Sequence, residues 1–133
     1  MTDENFDETH KKFLKHFSNG ILHKLILWII SKESIHGYRI MKSLENFFNF
    51  ENANCEIKIN SSKIYPVLSK MESEGLIIGE WKVNENNKRV KYYSITPDGI
   101  KVLNQIQENM NAILDNPHWL AFFNDMTGLE INK

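Results

Sequence analysis

Apolar residues in the first third of the chain recur at steps of three and four positions, which is the period of an amphipathic helix. The first such segment begins at Lys11, after ten mostly polar residues that we expect to be flexible, and it is apolar nearly all round from Ile26 to Ile30. A second helix is predicted over Ile35–Phe48. The apolar faces of the two helices consist of Phe13, Phe17, Ile21, Leu25, Trp28 and Ile29, and of Tyr38, Met41, Leu44, Phe47 and Phe48.

A third helix is predicted between two local signals. Asn60 is a typical N-cap, with Ser61 and Ser62 as alternatives, and Gly75 suits the left-handed position that ends many helices. Pro66 inside this helix lacks a backbone N–H, so we expect a distorted first turn. The predicted buried face consists of Ile64, Val67, Leu68 and Met71. Residues 49–56 are typical of a loop, and residues 57–59 of a short strand or other extended segment.

After Gly75 the period changes to alternation, which predicts two strands at Ile78–Val83 and Lys88–Ile95 joined by a turn rich in Asn. A last helix begins at the capping residue Thr96 and Pro97, and it breaks at Asn116–Pro117 before a strongly apolar terminal segment. Three helices, a hairpin and a further helix indicate a mainly α fold with a two-stranded β-wing (α+β), a winged helix-turn-helix domain followed by a C-terminal helix.

Composition limits the class of protein. The 133 residues include 16 Lys and Arg against 17 Asp and Glu, a net charge of −1, which excludes a bulk polycation but leaves room for a local basic face. The longest apolar run has six residues, whereas a membrane span needs about 20. With an acidic rather than basic N-terminus, we expect a cytoplasmic protein without a membrane partner.

The sequence contains no catalytic or metal-binding motif. The five histidines are spread along the chain, and His36 is better explained as a residue at a helix start. The single cysteine, Cys55, cannot form a disulfide within the chain; it is incidental or a redox sensor. We therefore expect neither an enzyme nor a metal or other cofactor.

Four segments together resemble the PadR family of transcriptional regulators. They are His36-Gly37-Tyr38, Ile64–Leu68, Met71–Ile77 and Arg89–Gly99. The resemblance runs from about Leu22 to Leu103. It implies a dimeric DNA-binding repressor that dimerises through its C-terminal helix with help from the first helix, and many members respond to a small, often aromatic or drug-like molecule. The short C-terminal region resembles the smaller PadR subfamily, which has a single long dimerisation helix, and the segment Trp119–Met126 departs from that pattern.

In a winged helix-turn-helix domain the third helix reads the major groove, and a cationic wing suits the DNA backbone or minor groove. The alternatives are that the serines only cap the third helix, that the tyrosines only pack, and that the wing cations only protect a solvated edge. Candidate DNA contacts are Ser61, Ser62, Lys63, Tyr65 and Lys70 in the third helix, Lys88, Arg89 and Lys91 in the wing, and Tyr38 and Arg39 at the start of the second helix.

The C-terminal region carries the candidate contacts between subunits. Its 3-4-3 seam is either intrachain core or, as the resemblance favours, a pairing surface that presents two reading helices about 34–36 Å apart to a palindromic site. Aromatic residues there line an effector pocket or simply form core. Candidate dimerisation residues are Leu103, Ile106, Met110, Ile113, Trp119, Phe122 and Phe123, and candidate pocket residues are Trp28, Trp119 and Phe122.

The sequence thus predicts three units: a flexible N-terminus (1–10), a winged helix-turn-helix domain (11–96) and a dimerisation helix with a tail (97–133). The predicted function is that of a homodimeric repressor that binds double-stranded DNA and is released by a small effector. The alternative is a winged-helix module that binds proteins and not DNA.

Overall fold

The computed structural model describes residues 3–48 and 58–131, which form five helices and one three-stranded sheet. The predicted class, mainly α with a β-wing, is confirmed. The elements are α1 (Asp3–Lys32), β1 (Ile35–His36), α2 (Gly37–Phe47), α3 (Ser61–Ser73), β2 (Ile77–Val83), β3 (Arg89–Ile95), α4 (Pro97–Leu114) and α5 (Pro117–Thr127).

Helix α1 begins at Asp3, eight residues before the predicted start, so the segment expected to be flexible is helical from residue 3. In its second half the apolar stretch lies in the core, as predicted, except that Trp28 is 43% exposed. The side chains of Phe13 and Phe17 lie outside the described part of the chain, as do the loop predicted at 49–56, Cys55 and Ile57. Residues 58–60 belong to no strand.

Helix α2 begins two residues after its predicted start, and its buried face was predicted only in part. Ile35 and His36 form β1, which pairs antiparallel with Tyr93 and Tyr92, so the sheet has three strands and not two. A two-residue strand is too short to show a period, and it forms only because β3 offers a free edge. Of the predicted stripe, Leu44 and Phe48 are buried and Met41 is half-buried against the core, whereas Tyr38 is 59% exposed and Phe47 43%. Ile40, which the stripe left out, is fully buried.

Helix α3 follows its prediction closely. Asn60 is the N-cap, and all four residues of the predicted apolar face are buried. The first turn is tightened, because the Asn60 carbonyl accepts hydrogen bonds from both Lys63 and Ile64, but the helix continues through Pro66. At its end Gly75 has φ +78°, and the amides of Gly75 and Leu76 donate to the carbonyls of Glu72 and Met71. This is a Schellman motif.

The end of α3 meets the start of α4 at one corner. The Thr96 hydroxyl donates to the Gly75 carbonyl at 2.6 Å and accepts from the Gly99 amide at 3.0 Å, which caps α4. The Thr96 amide donates to the Leu76 carbonyl at 3.1 Å. A side chain at position 99 would collide with that same carbonyl, so only glycine fits there.

The strands β2 and β3 pair antiparallel from Ile77 opposite Ile95 to Val83 opposite Arg89, and their turn places Asn87 at φ 61°. After α4 the chain breaks at Asn116, which caps α5, so the predicted break is confirmed and the apolar tail forms a second C-terminal helix. The core is formed by α1, α2, α3 and the sheet. Among the described residues, no helix has the length and hydrophobicity needed to cross a bilayer.

Candidate nucleic-acid interface

The first turn of α3 presents small polar groups and a cation. Asn60 Oδ1 accepts hydrogen bonds from the Lys63 amide at 3.1 Å and from the Ser62 hydroxyl at 2.6 Å. Asn60 therefore caps the helix and the Ser62 hydroxyl is bonded to the capping oxygen, whereas the side chain of Ser61 is simply exposed. Lys63 lies partly exposed in the same turn, and Lys70 is exposed two turns later.

The start of α2 lies beside α3. His36 caps α2, since its Nδ1 accepts a hydrogen bond from the Arg39 amide at 3.2 Å, which confirms its predicted place at a helix start. Gly37 contacts the ring of Tyr65: a Cβ at position 37 would lie 2.9 Å from the Tyr65 Cε1 and hydroxyl oxygen. The exposed Tyr38 ring stacks on His36 with centroids 6.5 Å apart, so the alternative of a buried Tyr38 is wrong.

A concavity of about 370 Å³ separates these helix starts from the wing. It brings together four of the predicted residues, Tyr38, Tyr65, Arg89 and Lys91. Its full lining is His36, Gly37, Tyr38, Tyr65, Trp81, Arg89, Val90, Lys91 and Tyr93. The concavity thus has aromatic walls from α2, α3 and both wing strands, with cations on the wing side.

Sequence reasoning missed Trp81. This side chain is 57% exposed on β2, and the Arg89 guanidinium lies over its ring at 5.1 Å from the centroid. Trp81 is also the register partner of Lys91. The register of the predicted hairpin was the available signal, because it sets a large aromatic directly opposite one of the wing cations.

The predicted cations differ in their surroundings. Lys88 is exposed at the wing turn. Arg39 forms an exposed ion pair with Glu33 at 3.0 Å, which is weak because water screens both groups. Lys91 instead pairs with Glu72 of α3 at 2.9 Å, with both side chains about 30% exposed.

The Glu72–Lys91 pair shifts both titrations. The hydrogen bond from Lys91 holds the pKa of Glu72 below its ordinary value, with help from the Gly79 amide and against partial desolvation. The same hydrogen bond raises the pKa of Lys91. Both groups are therefore held charged, and each neutralises the other.

A second surface, on α1 and α4, contains most of the predicted dimerisation seam. Leu103 and Ile106 are half-buried against the core, whereas Met110 is 47% exposed. A groove of about 510 Å³ runs between the helices, lined on the α1 side by Ile21, Leu25 and Trp28 and on the α4 side by Leu103, Ile106 and Met110, with polar residues at its margin. Ile113 is half-buried further along α4.

The three residues predicted to line one effector pocket do not share this groove. Trp28 lines it, but Trp119 and Phe122 are absent from its lining. They form an aromatic cluster with Phe123 on α5, with ring centroids 5.6–6.0 Å apart. Trp119 lies three and four positions before Phe122 and Phe123, so the three rings pack on one another on one side of this short helix.

Several solved structures share this fold. The chain is 30% identical to a PadR-like transcriptional regulator from Bacillus cereus, with a TM-score of 0.61 over 74% of this chain and 88% of that one. It is 27% identical to a PadR family regulator from Eggerthella lenta, with a TM-score of 0.66 over 84% and 91% of the two chains. It is also 27% identical to a transcriptional regulator from Thermoplasma acidophilum, with a TM-score of 0.58 over 75% and 92%. No curated protein matches the sequence.

The family model for PadR-like transcriptional regulators matches residues 26–105, which span the second part of α1, both helices of the helix-turn-helix, the wing and the start of α4. The resemblance inferred from four short segments is thereby confirmed. The chain belongs to the PadR-like family of transcriptional regulators, which are DNA-binding proteins and not enzymes.

Proposed function

We propose that this protein is a homodimeric repressor that binds palindromic duplex DNA, with α3 in the major groove and the wing on the adjacent backbone or minor groove. The observation that carries the proposal is the concavity between α2, α3 and the wing, where Tyr38, Tyr65, Trp81 and Arg89 converge. Phenol, indole and guanidinium groups on one concave face suit contact with sugar, phosphate and base edges.

The start of α3 supplies the reading contacts in this proposal. The amides at a helix N-terminus favour phosphate oxygens, and here Asn60 already accepts from that of Lys63, which leaves those of Ser61 and Ser62 for this role. Ser61, Ser62 and Lys63 lie in the first turn, where small hydroxyls and a cation can reach phosphates or base edges. Lys63, Lys70 and Lys88 form no ion pair with any described residue, so their charge is available to phosphates.

Dimerisation is proposed through α4, α5 and the groove beside α1. The supporting observation is apolar surface on these helices, where Trp28, Met110, Trp119 and Phe122 are each between 43% and 51% exposed. Clustered exposed apolar side chains, here along the Trp28 groove and in the aromatic cluster of α5, are typical of interaction sites. A two-fold pairing would also match the symmetry of a palindromic operator.

Release by a small effector is proposed at the Trp28 groove. A flat aromatic molecule fits an apolar groove of this volume, in which Trp28 offers a ring to stack on. Such a ligand shifts operator binding only if it prefers one arrangement of the dimer. A ligand that binds the free and the operator-bound protein equally well would contradict this part of the proposal.

The DNA-binding proposal is tested with duplexes selected by the purified protein, together with the DNA upstream of its own gene. Affinity should fall steeply with salt. Lys63→Ala and Arg89→Ala should each weaken binding and reduce the salt slope by about 1.8, because one phosphate contact worth about 0.9 is lost from each of the two subunits. Lys101→Ala, an exposed lysine of α4, is the matched control and should bind as the wild type does.

Two outcomes would contradict the proposal. If no duplex binds in a salt-dependent manner, the winged-helix module that binds proteins becomes the better explanation. If Lys101→Ala weakens binding as much as Lys63→Ala, the contact is diffuse attraction between DNA and any exposed cation of the protein and not the interface described above.

A further inference from the structure

We propose that Glu72 is a positioning residue that fixes the wing against the reading helix, and that Lys91 serves this bridge and not a DNA phosphate. The inference rests on the DNA interface proposed above, because it concerns how the two DNA-contacting elements are held relative to one another. The supporting geometry involves three residues on three elements: Glu72 on α3, Gly79 on β2 and Lys91 on β3.

A single carboxylate binds both strands of the wing. Glu72 Oε2 accepts a hydrogen bond from the Gly79 amide at 2.8 Å, and Glu72 Oε1 accepts one from Lys91 Nζ at 2.9 Å. The side chains of Glu72 and Lys91 are only 32% and 29% exposed, so the pair is better shielded from water than the surface pair between Arg39 and Glu33. Hydrogen bonds to charged groups in such surroundings are among the stronger ones.

The glycine at position 79 is part of the same arrangement. A Cβ there would collide with Lys91 Cε and would lie 2.7 Å from Glu72 Oε2. The lysine stem therefore crosses directly over the Gly79 backbone on its way to α3. Lys91 Nζ also lies 5.5 Å from the centroid of the Tyr93 ring, which is buried. Packing, ion pair and ring contact thus direct Lys91 toward the protein.

Glu72 is an acidic residue in a DNA-binding module, so the inference is tested by whether the affinity for DNA rises or falls when its charge is removed. Glu72 carries a negative charge in the helix that approaches DNA, so its loss should favour binding if only net charge matters. If Lys91 were a phosphate contact, the loss of Glu72 would also release it for DNA. If instead the bridge sets the angle between α3 and the wing, removal of Glu72 weakens binding although the protein becomes more positive.

The experiment measures the affinity of the full chain for a selected duplex, over a range of salt, for Glu72→Gln and Lys91→Met. Glu74→Gln is the matched control, because it makes the same change of charge in an exposed residue at the end of the same helix. We expect Glu72→Gln and Lys91→Met each to weaken binding about fivefold or more, and the double variant to be no worse than either, since both residues act through one contact. Glu74→Gln should bind as well as the wild type or better.

Further measurements separate a positioning role of Lys91 from a phosphate contact and from general destabilisation of the protein. Lys91→Met should leave the salt slope unchanged, whereas loss of a phosphate contact from each of the two subunits would lower it by about 1.8. Lys91→Arg, which keeps the cation, should restore most of the affinity. Thermal unfolding and wing amide resonances are measured on the same samples, so that affinities are compared only below the unfolding range.

The results distinguish the two proposals. A wild-type protein that binds no duplex overturns both. A wild type that binds, together with a Glu72→Gln variant that binds as tightly as Glu74→Gln, overturns only the positioning role. A reduced salt slope in Lys91→Met also overturns it, because Lys91 would then contact phosphate.

Discussion

The ring of Tyr65 lies against the backbone of Gly37, so close that a methyl group at position 37 would stand 2.9 Å from the Tyr65 hydroxyl oxygen. This contact joins the first residue of α2 to the middle of α3 at the wall of the proposed DNA-binding concavity. The Tyr65 ring can occupy this position only because Gly37 has no side chain.

Gly37→Ala should therefore displace the Tyr65 ring. Because that ring is partly exposed and can rotate outward, we expect a stability loss of only about 1 kcal/mol, at the low end for overpacking. Affinity for duplex DNA should fall, and the ring resonances of Tyr65 should shift. Tyr65→Phe is the companion variant, which separates loss of the hydroxyl from displacement of the ring. Unchanged affinity with a displaced ring would remove Tyr65 from the interface.

Met110→Glu should dissociate the proposed dimer. Met110 is half-exposed at the groove between α1 and α4, so the substitution should leave the isolated subunit folded. An uncompensated carboxylate buried between subunits costs about 3 kcal/mol or more, which corresponds to a roughly hundredfold weaker dimer. Analytical ultracentrifugation over a range of protein concentrations measures the dissociation constant of the dimer. Asn109→Glu adds the same charge one position away and outside the groove lining, and equal dissociation by both variants would refute the proposed surface.

The Glu72–Lys91 bridge predicts a defined pH dependence of stability. Because the pKa of Glu72 is lowered in the folded protein, its contribution is complete above the ordinary value of about 4.3 and is lost as pH falls through the folded value. Because the pKa of Lys91 is raised, its contribution is complete below about 10.4 and is lost as pH rises through the folded value.

The stability difference between the wild type and Glu72→Gln should thus be constant from about pH 5 to about pH 10 and should shrink toward either side. Urea unfolding at a series of pH values measures it. Tyr93, whose pKa is raised mainly by burial, lies beside this pair and is the other titrating group to follow at high pH. A difference that persists undiminished at about pH 2 would show that Glu72 stabilises the fold without its charge.

Thr96→Ala should destabilise the protein more than an ordinary cap substitution. Loss of an N-cap costs about 1 kcal/mol, and here the same hydroxyl also donates to the Gly75 carbonyl. We expect a total of about 2 kcal/mol, measured by urea unfolding. Thr96→Ser keeps both hydrogen bonds and should lose much less. If the two variants are equally unstable, the methyl group and not the hydroxyl is what matters.

The sequence was most informative where the signals for structure are local. Helix α3 has its cap, its apolar period and its terminating glycine within 16 residues, and all of them were predicted from the sequence. Strand β1 was not, because Ile35 and His36 become a strand only when Tyr93 and Tyr92 lie beside them. The buried face of α2 was predicted only in part for a related reason, since Tyr38 is apolar enough for a core but lines the concavity.

The same distinction holds for the candidate site. Residue type and position in the motif were enough to select Tyr65 and Arg89, which line the concavity. The bridge between Glu72 and Lys91 joins a helix to a strand 19 positions further on, and no local pattern encodes such a contact. Trp81 was overlooked because alternation along a strand does not say which face will meet the reading helix.

The contacts at Thr96 couple the orientation of α4 to that of α3. Hydrogen bonds tie the residues just after α3 to the first cap of α4, and the absence of a side chain at Gly99 lets the two backbones touch. Neither helix can swing without the other unless these bonds break. In a dimer joined through α4, we therefore expect a rotation of one subunit against the other to change the distance between the two reading helices, which is the distance that an operator must match.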